Sequence, residues 1–273
     1  MQKLLLGSVA LIALIGAANA ADIRVKGPVY KAAPPVALSS WTGFYAGIGI
    51  GGRWTDSDWT TTAAFAPNGA AFPFFTSPNA SFSSGALRIS GYAGYNLQVA
   101  PLWVVGLEAD YGWADNHSTL TSRIPGLGLP NSGSFTEVRG KWDASVRARA
   151  GYLVGPALLA YVTGGVAFQH VQAIATCPGD TFVCNPALGT QSFSNSSNRV
   201  GWTVGGGLET MFAQNLLARI EYRYSDFGTF SFTAIPFSAS TFGANANLTT
   251  RTHILTAGLA YKFDWGGPIV AKY

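Results

Sequence analysis

Apolar and polar residues alternate with a period of two along eight stretches of this chain. In GFYAGIGIGGRW (43–54), Phe44, Ala46, Ile48 and Ile50 share one face, and Tyr45, Gly47, Gly49, Gly51 and Arg53 share the other. Segments 85–98, 103–113, 158–170, 199–212, 216–227 and 250–263 repeat the pattern. It is clearest in 137–154, where Lys141, Asp143, Arg147 and Arg149 alternate with Trp142, Ala144, Val146 and Ala148. No helical face produces that spacing, whereas successive residues of a strand point to opposite sides. Eight strands are therefore predicted.

The predicted connections alternate in length. Short ones fall near 99–102, 155–157 and 213–215, and long ones, rich in Ser, Thr, Asn and Pro, near 55–82, 114–136, 174–198 and 228–249. Short turns at one end and long loops at the other are the pattern of an outer-membrane barrel. An even number of strands closes the sheet and leaves no unpaired edge in lipid. The predicted fold class is all-β, an eight-stranded antiparallel up-and-down transmembrane β-barrel.

Alternation alone also suits a periplasmic sandwich, whose apolar face would be its core. The polar face decides between them. It carries Arg88, Glu108, Asp110, Lys141, Asp143, Arg147, Arg149, Glu209, Arg219, Glu221, Arg223 and Lys262. On a soluble surface such charges would also crowd the loops. In a barrel of eight strands the interior is just wide enough for side chains to fill. There they would interlock as a charge lattice, with glycines as spacers. Aromatics punctuate the apolar face near the strand ends (Phe44, Tyr95, Trp113, Trp142, Tyr152, Trp202, Tyr224, Tyr261, Phe263), as interfacial girdles do.

Composition sharpens this picture. Of 273 residues, 17 are basic and 13 acidic, which is 11% charged, against about 25% in a soluble domain. Thirty-three glycines and 14 prolines oppose a helical bundle. The longest apolar run is too short for a spanning helix. The net charge of +4 is mild and unclustered and implies no nucleic acid.

That apolar run, Leu4–Ile15, follows Lys3 and precedes Ala18-Asn19-Ala20. A basic start, an apolar stretch and a small-x-small site make residues 1–20 a secretory signal peptide. Residues 21–40 read as a Pro-rich periplasmic leader, 41–263 as the barrel, and 264–273 as a periplasmic tail beginning before Gly266-Gly267-Pro268. In an exported protein Cys177 and Cys184 form a candidate disulfide. Two thiols are an incomplete metal-ligand set, so no metal is expected.

Four blocks in order carry a family resemblance: Trp41-Thr42-Gly43-Phe44-Tyr45-Ala46-Gly47, Gly106-Leu107-Glu108-Ala109-Asp110-Tyr111-Gly112, Arg219-Ile220-Glu221-Tyr222-Arg223-Tyr224 and Gly258-Leu259-Ala260-Tyr261-Lys262-Phe263. The chain resembles the small porin-like outer-membrane immunogenic proteins of alphaproteobacteria. The resemblance implies an eight-stranded barrel in the cell outer membrane with antigenic surface loops. It implies outer-membrane lipid and the barrel-assembly machinery as partners. Gly258 to Phe263 resembles the terminal signal that this machinery reads, although ten residues follow it. Some relatives bind hemin and others support envelope integrity. The family has no catalytic motif.

Three functions follow as expectations. The first is a structural and antigenic surface protein whose lumen is filled by charged side chains, without enzymatic activity or cofactor. The second is hemin or another small ligand held at the extracellular rim, with His117, His170 and His253 as candidate ligands. The third is a narrow porin-like channel, since wide aqueous channels need about 16 strands. Ser225, Asp226 and His253 supply the residue types of a hydrolytic site, but a chance grouping at strand ends is the simpler reading.

Overall fold

The computed structural model describes residues 40–66, 68–74, 76–121, 124–127, 134–177, 189–235 and 243–263. The predicted signal, most of the predicted leader, the predicted tail and Cys184 lie outside these residues, and with Cys184 the candidate disulfide. Eight strands follow in order: β1 Gly43–Phe65, β2 Asn79–Ala100, β3 Trp103–Thr121, β4 Phe135–Gly155, β5 Leu158–Cys177, β6 Gln191–Ala213, β7 Leu216–Ile235 and β8 Gly243–Phe263. Each pairs antiparallel with the next, and β8 pairs with β1 to close the barrel. Two-residue turns join β2 to β3, β4 to β5 and β6 to β7, and in outer-membrane barrels such short turns mark the periplasmic end.

The strands are longer than the alternation suggested, at 19 to 23 residues. About 9–11 tilted residues cross a bilayer, so the upper part of every strand stands outside the membrane. Much of the predicted loops 55–82, 114–136, 174–198 and 228–249 is strand. The reason lies in the chemistry of the two faces, which exchanges halfway up.

Below the exchange the outside is apolar. Ile48, Leu87, Leu107, Val162 and Leu259 are each more than half exposed. Aromatics bound this belt. Phe44, Trp103, Tyr152, Tyr261 and Phe263 ring the periplasmic side, with Phe44–Phe263 centroids 5.6 Å apart and Trp103–Tyr152 centroids 5.3 Å apart. Trp54, Trp113, Trp142, Trp202 and Tyr224 ring the upper side. Above them the outward positions turn polar: Asp56 and Asp58 on β1, Ser81 and Ser83 on β2, Asp115 on β3, Ser194 on β6 and Arg251 on β8.

The inside changes in the opposite sense and has three storeys. A lower apolar plug of Trp41, Tyr45, Tyr92, Leu153, Leu159, Tyr161, Met211 and Leu217 closes the periplasmic end. The charged residues lie above it. The top storey is again apolar, with Trp59, Phe82, Val138, Val171, Phe230 and Leu248 packed together and a second cluster of Ile124, Leu127, Ile235 and Ala244. The protein is a membrane barrel below and, above the bilayer, a collar with the polarity of a soluble protein.

β-Bulges manage the transition. Between Gly140 and Asp143 β4 gains one residue relative to β5, so its inward phase shifts from even to odd numbers. In β7 the register slips between Asp226 and Thr229, where Gly228 has φ +65° and its N–H donates to Asp226 Oδ1 at 2.8 Å. That φ is the left-handed region where only glycine is at ease.

Candidate functional site

The middle storey is a slab of paired charges. Its upper focus is Asp110 and Asp143. Arg88 reaches both, with Nη2 2.6 Å from Asp110 Oδ2 and 2.6 Å from Asp143 Oδ2. Arg223 also reaches both, at 2.5 and 3.0 Å. Arg53 enters from β1, its Nη1 donating to Asp143 Oδ1 at 2.8 Å, its Nε to Asn116 Oδ1 at 2.6 Å, and its Nη2 to the carbonyls of Ala114 and Gly140. Ser145 donates its hydroxyl to Asp110.

The lower focus is Glu108, Glu209 and Glu221. Arg147 Nη2 lies 2.6 Å from Glu108 Oε1 and its Nη1 lies 2.7 Å from Glu221 Oε1. Arg219 reaches Glu108 Oε2 at 2.5 Å, and Arg149 reaches Glu209 at 3.3 Å. Tyrosines tie this focus to the plug. Tyr45 donates to Glu108 at 2.7 Å and accepts from Arg149 at 2.8 Å, while Tyr161 donates to Glu221 at 3.0 Å. Guanidinium planes stack too, Arg149 4.1 Å over the Tyr161 ring and Arg219 3.4 Å over Tyr92. The foci join through Arg147, 3.7 Å from Asp110.

These pairs are almost wholly buried. Side chains of both Arg147 and Glu108 have no exposed area. Their contacts cross the lumen between strands that are not neighbours, as from β1 to β4 (Arg53–Asp143) and from β2 to β4 (Arg88–Asp143). Bidentate arginines fit carboxylates with fixed geometry, unlike lysines. The slab is thus a cross-braced septum. Just above it, Thr55, Asn116, Gln169 and Thr250 line a cavity of about 10 Å³, room for about one water.

The model of the outer membrane protein β-barrel domain matches residues 8–263. The chain belongs to this family of outer-membrane β-barrels. It is 29% identical to the 31 kDa outer-membrane immunogenic protein of Brucella melitensis, over 96% of this chain and all of that one. It is 28% identical to the 25 kDa outer-membrane immunogenic protein of Brucella abortus, over 96% of this chain and 99% of that one. The 22 kDa outer membrane protein of Rhizobium leguminosarum is 31% identical, over 71% of this chain and 68% of its own length. The protein is accordingly an outer-membrane protein, and its apolar belt faces lipid.

In this outer-membrane barrel Arg88, Glu108, Asp110, Asp143, Arg147, Arg149, Glu209, Arg219, Glu221 and Arg223 lie together in the septum. Lys262 also points inward but lies at the periplasmic end, where its Nζ donates to the Ser40 carbonyl at 2.5 Å. Lys141 is a correction. It was expected inside, yet it is exposed on the outer face. The β4 bulge cancels the alternation that placed it inward. Arg53 was left out of the expected lattice and is fully buried at its top. The alternation of 43–54 had already put it on the Tyr45 face, so the signal was present.

The three histidines do not converge. His117 was expected in a loop but lies in β3, exposed on the outer face. His170, on the outer face of β5, is stacked on Trp142 at 6.1 Å and lies 2.9 Å from Asn198 Oδ1. His253, on β8, sits 2.7 Å from the Tyr222 hydroxyl. They occupy outward positions on separate strands, an arrangement that does not fit one hemin between them. Among the described residues no cluster of three His, Cys, Asp or Glu could hold a metal. Ser225 points inward and donates to Thr203 at 2.9 Å, so it and His253 lie on opposite sides of the wall.

Proposed function

We propose that the protein is a sealed structural barrel of the outer membrane. It anchors an extracellular collar and its loops to the bilayer and strengthens the envelope without conducting solutes. The observation that carries this reading is the septum, where carboxylates are shared between arginines from strands across the lumen. An aqueous pathway needs mobile water where these pairs stand. The plug below and the apolar storey above add two further barriers. The names of the Brucella relatives support an antigenic role for the exposed collar.

Liposome swelling tests the proposal. Vesicles carrying the folded protein are expected to swell in arabinose no faster than protein-free vesicles. Swelling that rises in proportion to the amount of protein would overturn it.

A further inference from the structure

The collar is not a closed barrel. Pairing of β2 with β3 stops at Ile89↔Trp113, and pairing of β6 with β7 stops at Trp202↔Asp226. The other six pairs continue above those levels. Above the aromatic girdle the wall is therefore two four-stranded sheets, β7-β8-β1-β2 facing β3-β4-β5-β6, with two seams between them. The β2–β3 seam is sutured by a side chain, since Asn116 Nδ2 donates to the Ser84 carbonyl at 3.2 Å. The β6–β7 seam begins where the β7 bulge bends that strand. It is crossed by the Arg199 guanidinium, 4.3 Å over the ring of Phe230.

Above that contact the seam widens into a cavity of about 270 Å³. Ala173, Ala175, Phe193, Asn195, Phe232 and Ala234 line it. Phe232, in its lining, lies 5.6 Å from Phe230, the ring that carries Arg199. Arg199 differs from the septum arginines. Each of those holds a carboxylate, whereas among the described residues none lies within ion-pair distance of Arg199; its Nε, like those of Arg147, Arg219 and Arg223, is buried without a hydrogen-bond partner. A half-buried guanidinium with no carboxylate, at the foot of an apolar chamber, leaves its terminal nitrogens free to meet an anion.

We propose that the β6–β7 seam is a lateral binding site for a small anionic amphiphile, a medium-chain carboxylate, with its head at Arg199 and its tail in the cavity. The volume lies just below the range of about 300–1,000 Å³ usual for drug-sized ligands, which selects a small occupant. The cavity lining is uncharged, so the head must stay at Arg199. The seam starts at Trp202, on the upper girdle, where amphiphiles of the outer leaflet concentrate. The septum floors the chamber, so the ligand enters and leaves through the seam rather than through the lumen.

Trp59 offers a readout, because its ring lies 4.9 Å from that of Phe232. Full-length protein in phosphatidylcholine nanodiscs, which supply no anionic lipid, is titrated with 10-bromodecanoate and with 10-bromodecanol. Quenching of Trp59 is taken as the difference between the wild type and Trp59→Phe. Bromodecanoate is expected to quench saturably. Arg199→Gln should weaken its apparent affinity roughly tenfold, as the loss of a charge-assisted hydrogen bond does, while leaving the alcohol unchanged. Ala175→Phe, which fills the cavity, should remove saturable quenching by both. Heat-modified gel mobility identifies the variants that fold. Equal affinity for acid and alcohol in the wild type, or no effect of Arg199→Gln, would overturn the proposal, and either result is decisive even if Ala175→Phe does not fold.

Discussion

The guanidinium of Arg88 occupies the space where Gly112 would carry a Cβ. An added Cβ at Gly112 would lie 2.3 Å from Arg88 Cζ. Gly112 on β3 is thus the slot that lets Arg88 on β2 reach Asp110 and Asp143 together. Gly112→Ala must push the guanidinium off at least one carboxylate. Overpacking of this kind costs about 1–3 kcal/mol, which a shift of the urea midpoint in lipid vesicles would show.

Glu108 accepts from Arg147, Arg219 and Tyr45. Glu108→Gln keeps its shape and removes its charge, leaving two buried cations underpaired. Breaking a buried pair costs about 3–5 kcal/mol. Asp58, 52% exposed and 3.4 Å from the 47% exposed Arg251, is the comparison. Asp58→Asn should cost at most about 1 kcal/mol, as surface pairs do. Equal destabilisation of the two variants, measured by urea unfolding, would contradict the septum's role.

The outward position of Lys141 can be checked chemically. In the folded protein Lys141→Cys should react with a membrane-impermeant maleimide within minutes. Asp143→Cys, two residues away and buried, should react only after unfolding. Labelling of both at similar rates would restore the uninterrupted alternation of β4.

The lipid belt makes an exposed leucine matter. Leu107 is 64% exposed, and on a water-facing surface Leu107→Arg would be nearly neutral. Facing the bilayer it should cost about 2–4 kcal/mol near the midplane. The fraction that folds into vesicles across a urea series measures this directly.

What could be read in the sequence divides at the aromatic girdle. Below it, outward residues such as Ile48 and Leu107 are apolar and inward ones such as Glu108 and Arg147 are charged, so period two revealed strands, faces and most of the septum. Above it, both environments reverse. Asp56 and Asp58 face water, while Trp59 and Leu248 fill the interior. The period persists there, but its Ser, Thr and Asn content resembles loop. A bulge is harder still to see. Lys141 followed the phase of Arg147 and Arg149, and only the extra residue near Trp142 turns it outward. The seams depend on where neighbouring strands stop pairing, which no single strand's sequence records.

Planar-bilayer recording tests the sealed lumen most directly. With the folded protein inserted in a bilayer in molar salt, no steady open level is expected, only brief events at most, if the arginine–carboxylate pairs seal the lumen as proposed. A stable, long-lived current from single wild-type molecules would contradict the account.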